Sequence, residues 1–202
     1  MALKMLYGSY FIKSAVLLGL LNFAVFAQSS FTDSRDGKKY KTVRIGELTW
    51  MAENLNYNAS GSRCYGNRQE NCSKYGMLYD WPTAKKVCPS GWYLPSDMEW
   101  QKLVDFLGGD EEAGEKLKAK VGWDNYGEQS GNGADNYGFS ALPGGNSYSK
   151  DKFRYAGNSG RWWSATEYNN YRAYRRYIYH DNSGIDYHHG DKTLFLSVRC
   201  VQ

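Results

Sequence analysis

Three histidines, His180, His188 and His189, lie close together among Asp181, Asp186 and Asp191. Imidazole and carboxylate side chains in one place could hold a metal or pass a proton. His188 and His189 are direct neighbours, however, and neighbours in a regular strand point to opposite faces. They are read as exposed hairpin residues. A second group, Asp124, Asn125, Asn132, Asp135 and Asn136, offers oxygens of the kind that bind Ca2+. It lacks the D-x-D-x-D-G spacing, and Asp and Asn beside Gly are common turn formers. Ca2+ stays a candidate cofactor, and no residue is assigned as a metal ligand. A glycosidase needs two carboxylates across a cleft, and no acidic pair here selects itself. G-x-S-x-G, H-E-x-x-H, G-x-G-x-x-G and Walker sequences are missing. No catalytic residue is assigned, and a non-enzymatic chain is expected.

Recognition is the chemistry that remains. The stretch from Arg161 to His189 carries Trp162, Trp163, Tyr168, Tyr171, Tyr174, Tyr177, Tyr179 and Tyr187, with Arg172, Arg175 and Arg176. Rings with polar tips beside guanidinium donors suit a polysaccharide or a surface protein. A binding or adhesion surface is therefore expected at Tyr168, Tyr171, Arg172, Tyr174, Arg175, Arg176, Tyr177, Tyr179 and Tyr187. Adjacent strand residues cannot both face outward, so Trp162 or Trp163, taken singly, is expected in the core. The alternatives are a structural component of an outer surface or matrix acting through protein contacts, and an enzyme of unidentified type.

Strands must position these groups. In AYRRYIYH, Tyr174, Arg176, Ile178 and His180 share one face, and Arg175, Tyr177 and Tyr179 the other. DNSG turns the chain, and Ile185 to His189 returns. RWWSAT (161–166) is the preceding strand. LFLSVRCV (194–201) is the last, with Leu194, Leu196, Val198 and Cys200 on one side. Earlier, DG at 36–37 signals a hairpin turn, and Tyr40–Ile45 and Glu47–Met51 are strand-like around Gly46. Residues 54–71 look irregular. Pro82 suits the first turn of a helix over TAKKVC. Ser96 with Glu99 forms a capping box for a second helix. Met98, Leu103, Phe106 and Leu107 are expected to make its apolar stripe, with Trp100 flanking. A further short helical piece runs from Glu111 to Lys120. Residues 122–138 form a long loop, and Phe139–Pro143 is extended.

The first 27 residues have the form of a signal peptide. Lys4 and Lys13 precede or border the apolar run SAVLLGLLNFAVFA, which is too short for a comfortable membrane span. Export to a secreted or cell-surface location is expected, with a flexible lead-in over 28–35, a single domain over 36–202, and no membrane span once the signal is removed. Lys4 and Lys13 supply half of the formal +4 charge. The remaining cations are interleaved with Asp and Glu, which argues against a nucleic-acid partner. The oligomeric state is left open. Four cysteines in an exported chain imply two disulfides, in one of three connectivities. Cys64 and Cys72 bracket the short loop YGNRQEN and are paired with each other. Cys88 and Cys200 are left as a long-range clasp. Zinc fits less well, because no C-x2-C spacing is present. Strands, helices, long loops and a final set of antiparallel strands make an α+β domain without a repeated βαβ unit.

DGKKYKTVRIGELTWMAENLNY (36–57), GMLYDWPTAKKVCPSGWYLPSDMEW (76–100), GNGADNYGFSALPGG (131–145), GRWWSATE (160–167) and LFLSVRCV (194–201) together resemble the Fibrobacter succinogenes major paralogous domain family. The resemblance covers nearly everything after the signal segment. It implies a bacterial cell-surface or secreted setting, and it implies no particular activity. A more distant similarity is to the C-type lectin-like fold, including the formylglycine-generating enzymes. Trp81, Ala84 and Cys88, then Leu94, Pro95, Ser96, Glu99 and Trp100, match its helix and the motif that follows. Ser197–Val201 match its last strand. This similarity implies a compact lectin-like domain with two helices, long loops and small antiparallel sheets, and it too pairs Cys88 with Cys200. The calcium-lectin motifs E-P-N, Q-P-D and W-N-D do not occur, and only Cys200 lies beyond Cys88. Neither sugar binding through calcium nor formylglycine chemistry is therefore implied.

Overall fold

Asp36-Gly37 closes the first turn, where Gly37 takes a left-handed φ of 74° and its amide donates to the Asp33 carbonyl at 2.8 Å. The turn joins β1 (Ser29–Thr32) to β2 (Lys39–Ile45) in an antiparallel pair. The computed structural model describes residues 29–202; the signal segment read at 1–27 lies outside the described residues. Within the stretch read as a flexible lead-in, Ser29–Thr32 form a sheet strand. Phe31 accounts for the difference, because its ring stacks on both Tyr40 and Trp92, at 5.5 and 4.5 Å between centroids. Gly46 then turns the chain into β3 (Leu48–Met51).

The next segment holds β4 (Ser62–Arg63), α1 (Gln69–Tyr75) and β5 (Leu78–Tyr79), with β4 and β5 paired. Asp80 caps α2 (Trp81–Ala84) by accepting from the Thr83 amide at 3.0 Å, and Pro82 sits in its first turn. In α3 (Asp97–Phe106) both halves of the capping box form. Its buried stripe is Trp100, Leu103, Val104 and Leu107, the i, i+3, i+4, i+7 set of one helix face. Met98 and Phe106, expected in that stripe, are exposed. They lie off this face, which Trp100 anchors against Trp50 at 4.8 Å. Next comes α4 (Asp110–Leu117), with three acidic residues in its first turn, where the helix dipole favours them. The remaining strands are β6 (Gly144–Ser149), β7 (Lys152–Ala156), β8 (Ser159–Glu167), β9 (Arg172–Tyr179) and β10 (Asp186–Asp191).

The α+β class and both disulfides, Cys64–Cys72 and Cys88–Cys200, are present. The lectin-like architecture with two helices is not. The described residues form four α-helices, and their strands fall into four small sheets, β1-β2-β3, β4-β5, β6-β7 and β10-β9-β8, without a curled or closed one. The reason lies in Leu194–Val201, expected to be the last strand of a sheet. Its backbone bonds are spread over several partners: Phe195 with Ser147, Leu196 with Tyr79, Ser197 with Arg161 and Trp163, and Val201 with Tyr93. A segment that serves several ladders extends none of them. Among the described residues, no helix is long and apolar enough to cross a membrane.

Two hydrophobic clusters result, and the period-2 alternation of three segments divides them. Trp163, Met51, Leu194, Leu196, Val198 and Cys200 belong to one. Trp162, Trp50 and Val201 belong to the other, with the buried stripe of α3. The side assigned from sequence to Leu194, Leu196, Val198 and Cys200 is thus a core face. Asn54 and Arg199 join the two clusters. Asn54 donates to the Tyr75 carbonyl at 2.8 Å, and its Oδ1 accepts from Trp162 Nε1 at 2.8 Å and Arg199 Nε at 2.7 Å.

Gly114 has a packing role in α4. A Cβ there would lie 2.0 Å from the Gly184 carbonyl oxygen. The contact atom is backbone and cannot swing aside. Gly114→Ala is therefore expected to lower stability by at least 1–3 kcal/mol, as overpacking does, although alanine gains about 1 kcal/mol of helix propensity over glycine. Urea unfolding checks this, and a stabilised variant would contradict the packing.

Candidate functional site

The sheet β10-β9-β8 carries most of the aromatic and arginine residues singled out in the sequence. Residues directly opposite in an antiparallel ladder project to the same face. Arg161 stands opposite Tyr177, Trp163 opposite Arg175, and Ser159 opposite Tyr179. Arg161, Arg175, Tyr177 and Tyr179 therefore share one face. On the other face, Arg176 stands opposite both Trp162 and Tyr187, and Tyr174 stands opposite His189. The nine expected ligand residues do not form a single patch.

The face turned toward α3 is already occupied. Arg176 is buried, bridges to Asp97 at 2.9 Å and donates to Gln101 Oε1 at 3.2 Å. Its guanidinium lies 5.0 Å from the Tyr187 ring. These contacts lock α3 onto the sheet. At the end of the β8–β9 hairpin, Tyr168 stacks on His189 at 4.0 Å and meets Tyr174 edge-on at 5.6 Å. Among the described residues Tyr171 makes no such ring contact, and it is exposed; Arg172 pairs with Asp191 at 3.1 Å. Trp162 and Trp163 are both fully buried, one in each core cluster. The strand covers its two faces with protein at this point, so both tryptophans are structural.

The opposite face is different. Arg161 is only 5% exposed. It donates from Nε to Ser159 Oγ at 3.1 Å and from Nη2 to the Tyr179 hydroxyl at 3.4 Å. Its guanidinium lies 4.3 Å from the Tyr155 ring centroid, 5.9 Å from Tyr177 and 5.7 Å from Tyr179. Arg175 is half-buried and lies 5.8 Å from the same Tyr177 ring, and its Nε is shielded from solvent without a hydrogen-bond partner. Among the described residues neither arginine forms an ion pair. Burial, and then the charge of Arg161, pull the Arg175 pKa down. Burial, followed by Asp186 and Tyr179, pushes the Tyr177 hydroxyl up. Tyr148 also acts electrostatically on Arg175.

The β6–β7 hairpin supplies Tyr148 and Tyr155, which are 45% and 38% exposed. Sequence reasoning missed both, and missed Arg161 as a site residue. Tyr155 has a φ of 71°, unusual for a bulky side chain and stable only where the surroundings impose it. This residue presents its ring to Arg161.

The other candidates have plainer roles. Asn132 Oδ1 accepts from the Trp123 amide at 3.0 Å, and Asp135 accepts from the Ser140 amide and hydroxyl, both at 2.7 Å. These oxygens serve turns. No group of three or more His, Cys, Asp or Glu side chains is placed to hold a metal ion among the described residues. A cleft of about 510 Å3 is lined by Lys38, Lys39, Lys41, Lys74 and Lys120. Its lysines are exposed, so a ligand there would relieve no burial cost.

The architecture is thus that of an α+β domain stapled by two disulfides, with an arginine- and tyrosine-bearing face on its last regular sheet. The chain belongs to the Fibrobacter succinogenes major domain family, whose model matches residues 43–202. Neither the curated proteins nor the solved structures yield a match to the chain.

Proposed function

We propose that this is a non-enzymatic, exported binding domain that holds polysaccharide on the sheet face bearing Arg161, Arg175, Tyr177 and Tyr179. The observation that carries this reading is the ring platform. Tyr148 and Tyr155 are exposed, the Tyr155 ring shares the Arg161 guanidinium with Tyr177 and Tyr179, and those two meet edge to face at 5.3 Å. Sugar rings present axial C–H faces and peripheral hydroxyls, and tyrosines offer an apolar face and a polar tip to match. Guanidinium N–H groups between the rings add fixed donors. A secreted or cell-surface location follows from the form of residues 1–27 and suits adhesion.

The test is a panel of soluble and insoluble glycans offered to the oxidised full-length protein, with and without EDTA. Saturable binding is expected, weakened at least tenfold by Tyr155→Ala or Tyr177→Ala and unaffected by EDTA. Failure to bind any glycan would overturn the reading and bring protein contacts in a surface matrix to the front.

A further inference from the structure

The uncompensated charge of Arg161 and Arg175 defines the ligand more narrowly. Other cations buried this deeply in the structure have either a counter-ion or their donors filled. Arg176 has Asp97. Lys118 has Glu115 at 3.5 Å and the Asn182 carbonyl at 3.0 Å. Arg199 donates to four oxygens. Arg161 has only two neutral hydroxyls, the second at a long 3.4 Å. A guanidinium carries five N–H donors, so most of those on Arg161 remain free. The shielded Nε of Arg175 has no acceptor. The two cations also repel each other across β8 and β9. Burying like charges side by side opposes folding unless something else is gained. Tyrosine rings offset part of the cost through cation–π attraction but leave the N–H donors unmet.

We infer that the polysaccharide is acidic, and that an oxyanion on one sugar, a uronate carboxylate or a sulfate ester, seats between Arg161 and Arg175 while the neighbouring sugars lie on the tyrosines. The inference rests on the polysaccharide reading above. Both oxyanions match the guanidinium fork, which prefers two parallel N–H···O bonds. Asp186 stands opposite Tyr177 and His188 opposite Arg175 in the ladder. Glu167, opposite Ala173, is also on this face and pairs with Lys192 at 3.1 Å. Neither Asp186 nor Glu167 lies within ion-pair distance of Arg161 or Arg175, leaving the arginines to the ligand.

Affinity of the oxidised full-length protein would be measured for polygalacturonate, dextran sulfate and neutral dextran. Polygalacturonate, dextran sulfate or both should bind at least tenfold more tightly than dextran, and whichever binds identifies the oxyanion. Arg161→Gln and Arg175→Gln should each cost at least tenfold for the acidic glycan. Arg44→Gln, which removes an exposed charge elsewhere, should cost less than twofold. Without glycan, Arg161→Gln and Arg175→Gln should unfold at the same temperature as the parent or higher, since each removes a cation that has no ion-pair partner and is repelled by the other. A purely structural role would lower it. If neutral glycans from the panel bind and acidic ones bind no better, the charge inference fails while the polysaccharide reading stands. If no glycan binds, both fail.

Discussion

Arg199→Met is expected to lower the unfolding free energy by roughly 3–5 kcal/mol, the cost typical of breaking a buried charged network, and to leave little folded protein at moderate temperature. Arg199 is fully buried. Its guanidinium donates to Asn54 Oδ1 at 2.7 Å, to the Met51 and Phe139 carbonyls at 2.9 and 2.5 Å, and to the Ser140 carbonyl at 2.9 Å. Burial draws its pKa down to about 9, so it keeps its proton and all its donors at neutral pH. Methionine fills similar space and removes the desolvated charge, which by itself would be favourable. The acceptors remain, however, three of them backbone, and each unmet buried acceptor costs about 1–3 kcal/mol. Asn54 would also lose the Arg199 bond to its Oδ1, the atom that accepts from Trp162. Urea unfolding of parent and variant measures the difference. A variant as stable as the parent would mean that those acceptors find other donors.

Removing the Cys88–Cys200 bridge, as the double alanine variant, is expected to cost about 5 kcal/mol, the chain-entropy value for a closed loop of this size. The bridge closes a separation of 112 residues, against 8 for Cys64–Cys72. The shorter loop gives about 2.5 kcal/mol by the same relation. The larger bridge also ties the buried C-terminal segment, whose carbonyls at Val198 and Cys200 accept from the Leu55 and Met51 amides, to the chain after α2. Thermal unfolding of the two double variants should therefore rank the long bridge well above the short one. Equal losses would show that native packing, not loop closure, sets the contribution of each bridge.

Much of this arrangement was legible in the residues. Ser96 and Glu99 announce α3 because the capping box is a local bond pattern, independent of the rest of the fold. The alternation placed Leu194, Leu196, Val198 and Cys200 on one side, and they do share one core cluster, because an extended segment keeps its period of two whatever it pairs with. The partners of that segment were not legible. They come from several distant elements, and the sheet it was expected to complete does not exist. The alternation in 174–180 likewise separated Arg175, Tyr177 and Tyr179 from Tyr174 and Arg176. It could not say that α3 meets Arg176 through Asp97, leaving the first set with the cations that have no ion-pair partner. The β6–β7 hairpin escaped notice because its strands are polar and Lys150-Asp151 is not an Asn-Gly or Asp-Gly turn. With it went Tyr148, Tyr155 and the significance of Arg161.

The central claim, that acidic polysaccharide seats on Arg161 and Arg175, is tested most directly by following arginine guanidinium resonances, both Nε–H and Nη–H, as oligogalacturonate or a sulfated oligosaccharide is added. The Arg161 and Arg175 signals are expected to shift together and saturate, while those of Arg176 and Arg199, whose donors are already engaged, stay in place. Saturable binding that leaves the Arg161 and Arg175 signals unmoved, and perturbs the lysines of the 510 Å3 cleft or no basic residue at all, would contradict it.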